Sequence, residues 1–304
     1  MAVSFERQIT GIADDIDSDY KLASETIPIA VHALEEVDRR YGPESPTPLE
    51  FHNAHHSIGV ARRNVRLSNL LHHYIPPSFR PKIFELAILA GATHDLEQGL
   101  GNDANERAST AWGIQAVEEF DGELNTKTFK RRLLRANLAT SVVLDAGGEL
   151  VQVNLQRGSR DPIKFITAFG DINGIAMEGD KRMWQDATNV YLEMTVEPTA
   201  EGLYDFLAGR QKRFMRNRLN DGRIKSDIAY YFPDTVDDVY SDMRKAYHTN
   251  IITAFGLARM LEERSDLKSS VAHIVRSFES RDRTLLGITI GKLVRRKTDG
   301  PTQG

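Results

Sequence analysis

Apolar positions recur every three to four residues over most of this chain, the period of an amphipathic helix, and strict alternation is rare. Residues 24–40 put Ile27, Ile29, Ala30, Leu34 and Val37 on one side and charges on the others. The closely spaced prolines of Gly42–Pro48 end that helix, because each removes a backbone donor and turns the preceding residue away from helical angles. A second helix is expected from near His52 to about Tyr74, with Ile58, Ala61, Val65 and Leu70 inward, and Pro76-Pro77 stops it. A third, from about Pro81 to His94, is apolar nearly all round, as the buried centre of a bundle is. The glycines of Gln98–Asp103 make a loop. Helices follow at about 104–120, 126–144 and 161–178, the last opened by Asp161-Pro162 as cap and first-turn pair. Glu149–Arg157 alternates instead, with Leu150, Val151, Val153 and Leu155 after Gly147-Gly148, and predicts one short β-hairpin. Helices at about 183–194, 200–219 and 235–264 extend the bundle.

The pattern predicts an all-α protein. Residues 1–23 form an N-terminal segment, 24–196 a helical core, 197–298 a C-terminal helical extension packed on that core, and 299–304 a disordered tail. No internal repeat is visible. Lys and Arg number 39 against 43 Asp and Glu, a formal charge of −4, so no nucleic acid and no anionic membrane surface is expected as a main partner. Cysteine is absent, which excludes disulfides, a thiolate metal site and a cysteine nucleophile; any metal must use His, Asp and Glu. The first residues lack the basic start and apolar run of a secretory signal, and the longest apolar stretch, Leu86–Ala92, is too short to span a bilayer. A soluble cytoplasmic protein is the expectation, and the sequence allows a homo-oligomer.

Four clusters carry the candidate chemistry: His52–Asn53–Ala54–His55–His56, His94–Asp95, Asn105–Glu106–Arg107 and Asp171. Imidazoles and carboxylates together suit one divalent ion such as zinc, manganese, iron, cobalt or nickel, with magnesium also admissible. A His-Asp pair at the end of an apolar run must be desolvated, a cost that is tolerable when a metal takes up the lone pairs. His52 and His56 share a face if the helix has already started at His52, and His55 is turned about a quarter circle away.

Phe51–His52–Asn53–x–x–His56–x–x–x–Val60 resembles the Tyr-His-Asn-x-x-His-x-x-x-Val signature of cyclic-nucleotide phosphodiesterases and related members of the HD-domain superfamily of metal-dependent phosphohydrolases. Leu86–Asp95 is similar to the helix that ends in the defining dyad, and Asn105–Glu106–Arg107–Ala108–Ser109 to the Asn-Glu-x-x-Ser of stand-alone bacterial HD proteins. Ala168–Asp171 matches the place of the closing aspartate. The resemblance covers roughly residues 30–260, and the combination is more specific than any one part. It implies an HD-type helical bundle, His56, His94, Asp95 and Asp171 as metal ligands, and His52 as proton donor to the leaving oxygen. Asp95 can also accept the nucleophile's proton. Glu106 and Glu97 are candidates for a supporting base or for orienting a water. A phosphoester also needs cations for its spread charge, and Arg107 is the best placed; Arg62, Arg63, Arg66 and Lys181–Arg182 are further candidates.

Departures narrow the choice. No histidine lies between His94 and His248, so the additional histidines of dinuclear members are missing from that segment, although His52 and Asp103 could hold a weak second ion. Gln98 and Gly99 stand where guanosine-tetraphosphate hydrolases carry a Glu-Asp pair, which disfavours that substrate class. Gly287–Leu293 has the wrong glycine spacing for a phosphate loop, and the basic run Arg295–Lys297 reads as solvated. The expected function is hydrolysis of a phosphomonoester or phosphodiester, a nucleotide or small phosphorylated metabolite. The rival is a catalytically weak HD module that binds metal or nucleotide in a regulatory or scaffolding role.

Overall fold

The structure, a computed structural model, describes residues 4–101, 103–144, 150–152, 154–172 and 174–263. The glycine run Gly287–Leu293, the basic run Arg295–Lys297 and the expected tail at 299–304 lie outside the described residues. The class is all-α. The described residues fall into two compact units, one within 4–172 and 222–243, the other within 174–221 and 244–263.

The first unit holds α1 (Phe5–Ala13), α2 (Thr26–Tyr41), α3 (Ala54–Leu71), α4 (Ile83–Thr93), α5 (Ala104–Phe120), α6 (Lys127–Leu138) and α7 (Pro162–Ile172). Helix α1 was not expected from the apolar pattern, which it satisfies with only Ile9 and Ile12 buried; the Ser4 hydroxyl caps it by accepting from Arg7 N–H. Helix α3 starts two residues later than expected. Asn53 is its cap, and inside it Leu67 and Leu71 are buried while Leu70 is only half-buried. Every residue of α4 is buried, as its all-round apolar pattern requires.

Close approach of α3, α4 and α7 depends on two glycines. A methyl on Gly91 of α4 would sit 2.4 Å from the Ala61 backbone of α3, and one on Gly170 of α7 would sit 2.1 Å from Asn64 Oδ1 of α3. Helix α7 is further fixed by Asp161. That buried carboxylate accepts from Ile163 N–H (3.2 Å) as a cap and from both Arg132 Nε (2.7 Å) and Nη2 (3.1 Å) of α6 as a fork. The completely buried Arg63 of α3 donates through Nε to the Gly170 carbonyl.

Helix α6 ends at Leu138, short of the expected 144. Thr140 Oγ1 turns back to the Asn137 carbonyl (2.7 Å), and the β-branched residues that follow favour extended backbone. Val143–Leu144 then pairs antiparallel with Leu150–Val151, so only the second strand of the expected hairpin falls in 149–157; residues 154–157 form turns. The expected helix at 161–178 is two, α7 and α8 (Gly174–Glu178), and α8 belongs to the second unit.

The second unit also contains α9 (Asp180–Met194) and α10 (Ala200–Asp205), the latter capped by Thr199 Oγ1 (3.0 Å to Gly202 N). A π-helical turn over Phe206–Gln211 leads into α11 (Lys212–Leu219). An unexpected short helix, α12 (Asp221–Tyr231), returns to the first unit and buries Ile224, Ile228 and Tyr231. Helix α13 (Val236–Glu263) closes the described chain.

Candidate metal centre

Asn53 builds the first part of the site. Its Oδ1 accepts from His55 N (3.0 Å) and His56 N (3.3 Å), while its amide donates to the carbonyls of Leu49 (3.1 Å) and Glu50 (3.0 Å). The asparagine of the His-Asn-x-x-His pattern is thus a helix cap that sets His56 on the first turn of α3, facing inward. His55, the next residue round, is exposed. Asn53→Ala should cost about 1 kcal/mol, the usual weight of such a cap, read as a lower midpoint in urea unfolding; an unchanged midpoint would show that the turn holds without it.

His94 is the C-cap of α4 and only 1% exposed. Its Nδ1 lies 3.0 Å from the Gly91 carbonyl, which makes that nitrogen the N–H and, in the neutral ring a metal requires, leaves the lone pair on Nε2. This Nε2 is 3.3 Å from His56 Nε2, 3.0 Å from Asp95 Oδ2 and 3.5 Å from Asp171 Oδ1. His56 Nε2 in turn lies 3.4 Å from Asp95 Oδ2 and 3.1 Å from Asp171 Oδ1. Asp95 Oδ2 is buried and accepts no hydrogen bond among the described residues.

Both imidazole Nε2 atoms lie 3.0–3.5 Å from Asp95 Oδ2 and Asp171 Oδ1 and 3.3 Å from each other, separations compatible with ligands of a single ion. Ligands about 2.0–2.1 Å from a tetrahedral centre stand about 3.3 Å apart, and octahedral neighbours about 3.0 Å. His56, His94 and Asp95 together form a buried group whose ligand atoms lie within 4.8 Å of one another and could hold a metal ion. Asp171, from α7, reaches both imidazoles.

The charges agree with that geometry. Burial lowers the pKa of His94, but Asp95 and Asp171 outweigh it and hold the imidazole well above its ordinary value. His56 goes the other way, burial prevailing over the same two carboxylates. Burial would raise Asp95, yet His94, His52 and His56 hold it at about 2. Asp171, also opposed by burial, lies well below the carboxylate range through hydrogen bonds from His56 and His94. The point between these atoms demands positive charge, which a proton on His94 or a divalent ion supplies.

The remaining candidates divide. His52 precedes the helix rather than lying in it, so its nearness to His56 (ring centroids 6.0 Å) comes through the turn at Asn53, not a shared helical face. It is half-buried, and its charge is felt at Asp95. Glu106 stands in the first turn of α5 with Oε2 buried and without a hydrogen bond among the described residues; burial, then Asp95 and Asp103, raise its pKa.

Other residues are engaged elsewhere. Glu97 is ion-paired with Arg40, and Arg63 is bound to the Gly170 carbonyl. Arg182 is paired with Asp186 and Glu178 in the second unit. Asp103, in left-handed backbone at φ 60°, accepts through Oδ1 from Ser141 Oγ (2.7 Å) and Asn154 Nδ2 (2.8 Å) and so fastens the loop. Arg107 and Arg66 are exposed, and Arg62 is half-buried.

Three residues fasten the site: Asn105 and Ser109 from the Asn-Glu-x-x-Ser stretch, and Gln98, which carried no site role from sequence. Ser109 Oγ accepts from Glu97 N (2.9 Å) and Asn105 Oδ1 from Leu100 N (2.8 Å), so the Asn-Glu-x-x-Ser stretch ties α5 to the loop behind the dyad. Gln98 Nε2 donates to Asp95 Oδ1 (3.1 Å).

Set against family models, curated proteins and solved structures, the chain finds no match. The likeness to HD proteins therefore stands on the residues alone. Among the described residues, no helix is long and apolar enough to cross a membrane.

Proposed function

We propose that this chain is a metal-dependent phosphohydrolase of HD type, acting on a phosphomonoester or phosphodiester such as a nucleotide or small phosphorylated metabolite. The observation that carries the reading is that His56 Nε2 and His94 Nε2, 3.3 Å apart, each lie 3.0–3.5 Å from both Asp95 Oδ2 and Asp171 Oδ1, with Asp95 Oδ2 buried and without a hydrogen bond among the described residues. Those four residues would hold a divalent ion. A bound divalent ion lowers the pKa of a water and polarises a phosphoryl oxygen.

The chain's own groups divide the proton work. His52, half-buried beside the cluster, donates a proton to the departing oxygen. Glu106, with a raised pKa and a buried unbonded oxygen, is suited to exchange a proton with the attacking water and to hold it in place.

One observation favours a second reading, a module that binds metal or nucleotide without efficient turnover. Phosphoryl transfer calls for cations near the spread charge. Yet Arg63 and Arg182 are committed to other partners, and Arg107 is exposed.

Phosphate release from a panel of mono- and diesters separates the two readings, with manganese, zinc, iron, cobalt, nickel and magnesium supplied in turn. A hydrolase should turn over at least one ester class with an added ion and lose that activity to a chelator. Absence of release with every ion, from protein that binds metal stoichiometrically, would replace the hydrolase by the module.

A further inference from the structure

Gln98 stands three residues past Asp95 on the loop that follows the dyad, fastened to the site by its contact with Asp95. It is half-buried. Its amide nitrogen donates to Asp95 Oδ1 (3.1 Å), its carbonyl Oε1 accepts from Asn105 Nδ2 (3.5 Å), and its backbone N–H donates to the Tyr41 hydroxyl (3.0 Å). The orientation of this amide follows from chemistry: an ionised aspartate only accepts, so the NH2 end must face it. Helix α2 closes the other side of the loop, where Arg40 donates to the Leu96 carbonyl (3.2 Å) and pairs with Glu97.

A carboxylate turns easily about its last torsion, which has broad wells, and can offer a metal one oxygen or two. In Asp95 the choice is made. Oδ1 is taken by Gln98, and Oδ2 faces the two imidazoles at 3.0 and 3.4 Å with no hydrogen bond of its own. We propose that Gln98 is a positioning residue of the metal centre: its amide locks the Asp95 carboxylate so that Oδ2 alone faces His56 and His94, and Tyr41 and Asn105 keep Gln98 in place. The proposal rests on the metal reading of the cluster. It adds the partner that sets how one ligand presents itself, a residue without which the aspartate is free to rotate or to bind through both oxygens.

The test uses full-length protein and cobalt(II) alone, whose visible spectrum reports coordination number. Gln98→Met keeps the length of the side chain and removes the amide. It should bind cobalt about 10–100-fold more weakly, the usual weight of a group that orients a ligand. Its d–d bands should also weaken as Asp95 engages through both oxygens, while the melting temperature of the metal-free protein stays that of wild type. Wild-type affinity and spectrum in the variant would overturn the proposal, and so would a lower metal-free melting temperature with both unchanged, since Gln98 would then only fasten the loop. If Gln98→Met does not fold, Asn105→Ala leaves Gln98 held by Tyr41 through its backbone only, its side-chain amide released at Oε1; it should show a smaller loss of affinity with the same spectral change, and no change in either would overturn the proposal. Wild-type protein that takes up no cobalt at all would remove the metal reading, and this proposal with it, an outcome distinct from variants that bind as wild type does.

Discussion

Asp95→Ala and His94→Ala should each abolish stoichiometric metal binding while leaving a helical protein. His94 is 1% exposed, and its Nε2 points at every other member of the cluster; Asp95 brings the buried oxygen that accepts no hydrogen bond. Removing either takes away one of four candidate donors, and Asp95→Ala also removes one of the two carboxylate charges, so the loss should exceed the about 10–100-fold typical of a group that only orients a ligand. Helicity should survive because α4 is anchored along its whole length by apolar contacts rather than by its last turn. Metal content after gel filtration, with circular dichroism on the same samples, decides the matter. Full metal content in both variants would mean that any ion sits elsewhere in the chain.

Most of the all-α framework was legible because the long helices α2, α3 and α4 bury wide apolar faces, and a wide face writes a strong signal into sequence. Helices α1 and α12 escaped because each buries only a few residues, too few to rise above their polar surroundings. The hairpin was displaced because strand pairing is a relation between two segments, and alternation in Glu149–Arg157 could not name its partner, Val143–Leu144.

The same division runs through the site. The resemblance named His56, His94, Asp95 and Asp171, and the fold does bring these four side chains together. What could not be read was which neighbours are already engaged. Glu97 looked available from its place beside Asp95, yet its partner Arg40 comes from α2, on a different helix. Arg63 was among the further candidates for a phosphate, yet close packing of α3 against α7 commits it to the Gly170 carbonyl. Long-range pairings of this kind leave no local periodicity. The start of α3 was misplaced for a simpler reason: Asn53 is among the strongest N-cap residues, and weighing it above the shared-face argument for His52 and His56 would have set the boundary correctly.

That boundary bears on the proton donor. With His52 ahead of the helix, its imidazole is carried by a turn, half-buried, 6.0 Å from the His56 ring and with its charge felt at Asp95. If it is the general acid, His52→Ala should keep the metal and lower turnover by about 10²–10⁴-fold, the range of positioned proton transfer. The loss should shrink for a nitrophenyl phosphoester, whose leaving oxygen needs little protonation as it departs, so the ratio of wild-type to variant rates is to be compared between that substrate and an alkyl ester. His55→Ala makes the matched control, because His55 is exposed on α3 and should do much less. Equal damage from both substitutions would sink the assignment. So would loss of metal in the His52 variant, which would make His52 a ligand and free another group for the acid's work. The leaving-group dependence is the sharpest of these readings, since a variant that merely disturbs the turn slows good and poor leaving groups alike.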